Sequence, residues 1–180
     1  MCRQYEDNSS VGYCATGFWE PELEFLVLHE VCGHGFGKLD EEYIIRQGYR
    51  IDAEGIAVIE RRHAQGWWEN VDVTDDPASV LWADFIANPL YAGTVGIYEG
   101  AGGCAYGVYR PTESSFMGNN GGDLGFNAPS RYSIYKKAMA AAGEEDSWER
   151  FVEFDAPARA AGADAVPARI AEEPIGAMFP

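Results

Sequence analysis

The chain has 180 residues, 47% of them hydrophobic, which is enough to bury a core within one domain. Its 29 acidic residues against 13 basic ones leave a formal charge of -16, which argues against nucleic acid or an anionic membrane surface as partner. No apolar run reaches the length of about 18 residues that a membrane-spanning helix needs, and no apolar stretch follows Met1-Cys2-Arg3-Gln4-Tyr5 to make a signal peptide.

Residues 11 to 15 have room for one strand. Glu20-Pro21-Glu22 then opens a helix, because proline suits a first turn and glutamates favour its positive end; the helix is expected to run to about Cys32. Residues 40 to 47 read as a short helix ended by Gly48. Ile56, Ile59 and His63 fall at i, i+3 and i+7, which predicts a helix over residues 52 to 65 and makes His63 part of its inner stripe, a structural histidine rather than a catalytic one. Asp76-Pro77 starts another helix, containing Val80, Leu81, Trp82 and Phe85, that stops near Asn88-Pro89.

Residues 94 to 99 and 104 to 109 flank Gly100-Ala101-Gly102-Gly103, either as a strand pair or around a glycine-rich loop. Residues 118 to 125 are too short of apolar side chains to form an element, and read as a mobile loop or a tolerated insertion. Asn127 and Pro129 start a helix through Ile134, Tyr135 and Met139 to Gly143, and Asp146-Ser147 caps another through Trp148, Phe151 and Val152. Residues 156 to 180, rich in Ala and Pro and without periodicity, read as a flexible tail. The four cysteines lack the C-x-x-C spacing of a structural zinc site; Cys32 is expected to be buried and reduced, and a Cys2–Cys14 disulfide is left open.

Most of the chemical information lies in His29-Glu30-Val31-Cys32-Gly33-His34 and the acidic run Asp40-Glu41-Glu42 behind it. Zinc bound by imidazole and carboxylate groups, with one position left to water, lowers the pKa of that water to about 7. A carboxylate beside the first histidine is placed to take the proton. The usual motif has its histidines at i and i+4, about 40° apart around an α-helix, whereas an i, i+5 pair is about 140° apart and cannot share one metal on a regular helix. A π-bulge or a helix end at Gly33, eased by Gly35 and Gly37, is therefore expected.

These words, continued by Gly35-Phe36-Gly37-Lys38-Leu39 and Tyr43, resemble the IgA-peptidase family of metzincin-like zinc metallopeptidases, in the branch that carries an extra residue before the second histidine. Gly66-Trp67-Trp68-Glu69-Asn70-Val71-Asp72, Gly96-Ile97-Tyr98-Glu99-Gly100, Arg110-Pro111-Thr112-Glu113-Ser114-Ser115-Phe116-Met117 and Phe126-Asn127-Ala128-Pro129-Ser130-Arg131 resemble its downstream blocks in the same order, so the likeness runs from about residue 11 to about 155. It implies an α+β, zincin-type catalytic domain over residues 1 to 155, mainly helical in its C-terminal portion. Only 28 residues precede His29, so most of the N-terminal sheet of such domains is expected to be absent from this chain.

The resemblance further implies that His29 and His34 bind zinc, that Glu30 is the general base, and that Met117 lies in a Met-turn beneath the metal. The family's aspartate ligand falls on Glu41, whereas the metzincin spacing His-x-x-Gly-x-x-ligand gives Asp40; both are kept, with Glu41 preferred. Glu99 and Glu113 are candidates to orient a zinc-bound histidine, or are ordinary loop residues, and Tyr109, Arg110, Arg131 and Tyr132 are candidates to stabilise an oxyanion. The implied activity is endopeptidase cleavage of a polypeptide or glycoprotein outside the cell, secreted or at the cell surface. The alternative is a non-catalytic binding module or remnant of that family.

Overall fold

The computed structural model describes residues 2–3, 13–14, 27–118 and 125–160. The helix start at Pro21, most of the glycine-rich loop and the tail beyond residue 160 lie outside the described residues. The fold is mixed α/β. Strands β1 (Cys2–Arg3) and β2 (Tyr13–Cys14) pair antiparallel, with Cys2 opposite Cys14. Helix α1 (Leu28–Gly37) carries both histidines of the box. A three-stranded sheet follows in the order β3-β5-β4, with β3 at Ile44–Arg50, β4 at Tyr98–Ala101 and β5 at Gly103–Arg110.

Where the spacing predicts a helix over residues 40 to 47, the chain instead runs into β3, parallel to β5, with Ile44 opposite Gly103 and Arg50 opposite Tyr106. Adjacent β-branched residues, Ile44 and Ile45, favour this outcome. The deciding partners come from far along the chain: Gly102 N–H donates to Glu41 O at 2.8 Å and Gly103 N–H to Tyr43 O at 3.1 Å. The glycine-rich segment resolves in favour of the strand pair, β4 antiparallel to β5. Its tight tip needs Gly102 and Gly103, whose φ values of 57° and 73° disfavour side chains.

Helix α2 (Ala53–His63) is capped by Asp52, which accepts from Gly55 N–H at 2.9 Å, close to the expected span. It buries Ile59 against Val71 and against Ala101, Cys104 and Val108 of the sheet. The helix expected from Asp76 is mostly turn until α3 (Ala83–Ala87). Local carboxylates compete for the backbone there: Asp76 accepts from Ala78 N–H and Ser79 Oγ–H, and Asp72 from Leu81 N–H.

Helix α4 (Ala128–Ala142) starts under an Asn127 cap and ends at left-handed Gly143, and α5 (Trp148–Phe154) is capped by Ser147, both as the sequence predicts. Short helix α6 spans Ala156–Ala160, the first five residues of the stretch expected to be a tail. A second core joins Phe85, Tyr91, Tyr135 and Phe151, with Trp148 edge-on to Phe85 at 4.7 Å. Asp155, buried beside it, takes Arg131 in a two-pronged pair at 2.6 and 3.0 Å and Tyr91 Oη–H at 3.1 Å. Helix α4 reaches α1 at Gly37, where a Cβ would meet Ile134 at 2.8 Å. No helix among the described residues is long and apolar enough to cross a membrane.

Candidate metal centre

All ten residues of α1 are π-helical. Hydrogen bonds from i to i+5 set about 4.4 residues per turn, so an i, i+5 pair is about 50° apart instead of about 140°. This brings the rings of His29 and His34 to a centroid separation of 4.8 Å, edge to face. The expected relief at Gly33 is thus a whole π-helical segment rather than a single bulge. Gly33 serves a second purpose: a Cβ there would collide with Met117 Sδ and lie 3.4 Å from Phe126 Cε1. Met117, fully buried, lies against the helix between the two histidines.

Each imidazole is oriented by a backbone carbonyl. His29 Nδ1 donates to Phe116 O at 2.6 Å and His34 Nδ1 to Leu39 O at 2.8 Å, which leaves both Nε2 atoms as lone-pair donors. The Nε2 atoms stand 3.2 Å apart, and Glu41 closes the triangle, with Oε1 3.1 Å from His34 Nε2 and Oε2 3.2 Å from His29 Nε2. A tetrahedral ion with bonds of about 2.0–2.1 Å places its ligands about 3.3 Å apart, so the spacing fits. As neutral Nδ1–H tautomers the two imidazoles turn lone pairs toward the Glu41 carboxylate, so that without added protons three electron-rich groups face one another. A cation relieves that arrangement. His29, His34 and Glu41 together can hold a metal ion.

Burial opposes charge on both Glu41 and His34, yet each supports the other. With no ion bound, imidazoles protonated at Nε2 donate to Glu41 and hold its carboxyl down at about 2, and Glu41, with the Leu39 carbonyl and Glu30, lifts His34 above its usual value. Glu30 follows His29 on the helix, half-buried, and its negative charge is felt at His34 and at Tyr43. The Tyr43 ring lies 6.5 Å from that of His29, and burial, then Glu41, keeps its phenol protonated far above the usual range.

Asp40, kept beside Glu41 as a candidate ligand, does not join this group. Residues 40 to 43 alternate: Asp40 and Glu42 are buried, while Glu41 and Tyr43 are half-buried on the metal side. Asp40 Oδ2 instead lies 3.4 Å from where a Cβ at Gly102 would sit, and burial lifts its carboxyl to about 7. Asn70 clasps its backbone, accepting from Asp40 N–H at 2.8 Å and donating to Asp40 O at 2.9 Å.

Glu42 is a residue the sequence reading passed over. It is 2% exposed, and its carboxylate accepts from four side chains: Ser115, Asn70, Asn127 and Ser130. Burial pushes its carboxyl up, against those donors. No local signal marked it, because the donors come from three distant segments.

None of the other candidates joins the group of His29, His34 and Glu41. Glu99 accepts from Gly107 N–H, and the Glu113 carbonyl accepts from Arg110; the histidines are oriented by backbone carbonyls, which carry no residue signature. Arg110 braces the carbonyls of Glu99 and Gly100, Arg131 pairs with Asp155, Tyr132 packs in the aromatic core, and the Tyr109 backbone pairs with Asp72. His63 Nε2 donates to Val71 O at 3.1 Å, in keeping with a structural histidine. Cys32 is half-buried with a free thiol.

The fold and site define a mixed α/β protein with a His-His-Glu cluster, its histidines buried and its glutamate half-buried, that could hold a metal ion. No protein-family model matches the chain, and a search of curated proteins finds no relative.

Proposed function

We propose that this chain is a zinc-dependent endopeptidase of metzincin-like type. The observation that carries the reading is the convergence of His29 Nε2, His34 Nε2 and the Glu41 carboxylate at 3.1–3.2 Å, with each Nδ1 tied to a carbonyl. Two imidazoles and one carboxylate are the ligand set of catalytic zinc sites that keep a position open to water. Zinc supplies Lewis acidity toward water and the scissile carbonyl. Glu30, adjacent to His29 and half-buried, takes the proton from the attacking water and passes it to the departing amine. The buried position of Met117 under the metal helix also supports the metzincin comparison.

Under this reading the substrate is a polypeptide or glycoprotein met outside the cell. The test is cleavage of casein by the purified chain, with and without a chelator, beside Glu30→Gln. Chelator-sensitive cleavage that the variant lacks supports the peptidase. Zinc bound without cleavage moves the reading to a non-catalytic module that keeps its metal.

A further inference from the structure

We propose that Glu42 is the positioning residue of the metal centre, a buried carboxylate that clamps the turn carrying Phe116 and Met117 to the segment carrying Glu41; the inference rests on the metal reading above. Glu42 holds residues 115–117 in two ways. Its backbone N–H donates to Met117 O at 2.6 Å, and its Oε2 accepts from Ser115 Oγ–H at 2.5 Å, while Ser115 Oγ accepts from Met117 N–H at 3.1 Å. Between those grips lies Phe116, whose carbonyl fixes His29 Nδ1. The same clamp presses Met117 against Gly33, between the two histidines.

The other side of the carboxylate anchors the clamp. Asn127 Nδ2 donates to Oε2 at 2.8 Å and to Oε1 at 3.0 Å, and Asn70 Nδ2 donates to Oε1 at 2.9 Å. The oxygens of both amides are already committed, Asn70 Oδ1 to Asp40 N–H and Asn127 Oδ1 to Ser130 N–H, so both present only N–H toward Glu42. A pocket that offers donors calls for a group that only accepts. Glutamine at this position has nearly the same shape but turns an N–H toward other N–H groups, and buried donors left unpaired are costly. The chain therefore uses neighbouring carboxylates for different tasks: Glu41 toward the metal, Glu42 toward the frame that aims His29.

The test is zinc affinity by competition with a chromogenic chelator, combined with 15N NMR of histidine-labelled, chelated protein, where only three imidazoles contribute. Glu42→Gln is expected to weaken zinc binding by about 10- to 100-fold and to abolish the slowly exchanging Nδ1–H signal of His29. Glu42→Gln combined with Asn127→Asp reverses donor and acceptor across one contact, keeps a cap for α4, and is expected to recover most of both. Ser115→Ala, which cuts only the link to the turn, is expected to weaken zinc binding severalfold, and it decides the matter if Glu42→Gln does not fold.

Zinc affinity within threefold of the parent and an intact His29 signal in the folded variants overturn the inference, as does a folded double variant with no recovery. If the parent chain binds no zinc while Glu42→Gln or Ser115→Ala still loses the His29 signal, the metal reading fails and the positioning role stands.

Discussion

His29 Nε2 and His34 Nε2 stand 3.2 Å apart although an extra residue separates them relative to the i, i+4 spacing of zinc helices. The π-helical ladder of α1 absorbs that residue, and Gly33, between the histidines, lets Met117 come close enough to support it. Gly33→Ala forces a methyl onto Met117 Sδ. The expected outcome is a loss of about 1–3 kcal/mol in stability by urea denaturation together with weaker zinc binding. An unchanged midpoint and affinity would mean that Met117 does not support the helix.

Glu30 is expected to act on the proton and not on the metal. Glu30→Gln should retain zinc by elemental analysis and lower casein cleavage by about 100-fold or more. Retained cleavage would sink the proposed chemistry.

The alternation of residues 40 to 43 separates two adjacent acids. Glu41→Ala is expected to lose zinc, as is His34→Ala, whereas Asp40→Asn should keep about one zinc per chain, the occupancy of a single three-ligand site. Elemental analysis of the three purified variants reads this directly. Zinc lost from Asp40→Asn and kept in Glu41→Ala would reverse the assignment.

Asp40 also predicts a pH dependence of the chelated protein. Its carboxyl ionises at about 7 when folded against 3.8 as an ordinary side chain, so the folded state holds the proton more tightly. Its contribution to stability is full below pH 3.8 and is lost as pH rises to about 7. Glu41 has the opposite sign, contributing above 4.5 and losing that contribution as pH falls toward about 2. Asp40→Asn removes the first effect only. The melting temperature of the variant should rise relative to that of the parent between pH 4 and pH 7, as followed by circular dichroism, and parallel curves would show that Asp40 ionises normally.

The candidate metal box was legible as such because its information is local: residue type and a spacing of five state that a regular α-helix will not bring the two histidines together. The caps at Asn127 and Ser147 were legible for the same reason, since each bonds a backbone N–H three residues on. The segment from residue 40 to 47 was misread as a helix because its partners, Gly102 and Gly103, arrive some sixty residues later. Periodicity over eight residues has no access to that pairing.

Sequence alone determined the candidate ligands, two histidines, a neighbouring glutamate and an acidic run, and the need for a helix that departs from 3.6 residues per turn. Tertiary structure alone decided which acid faces the histidines, which carbonyls orient them, and that Glu42 ties the assembly together. The reason is physical. Helical spacing and capping are settled among residues a few positions apart, whereas the direction of an extended segment's side chains is settled by whatever packs on each face, and here Asn70, Ser115, Asn127 and Ser130 on one face leave Glu41 to the other.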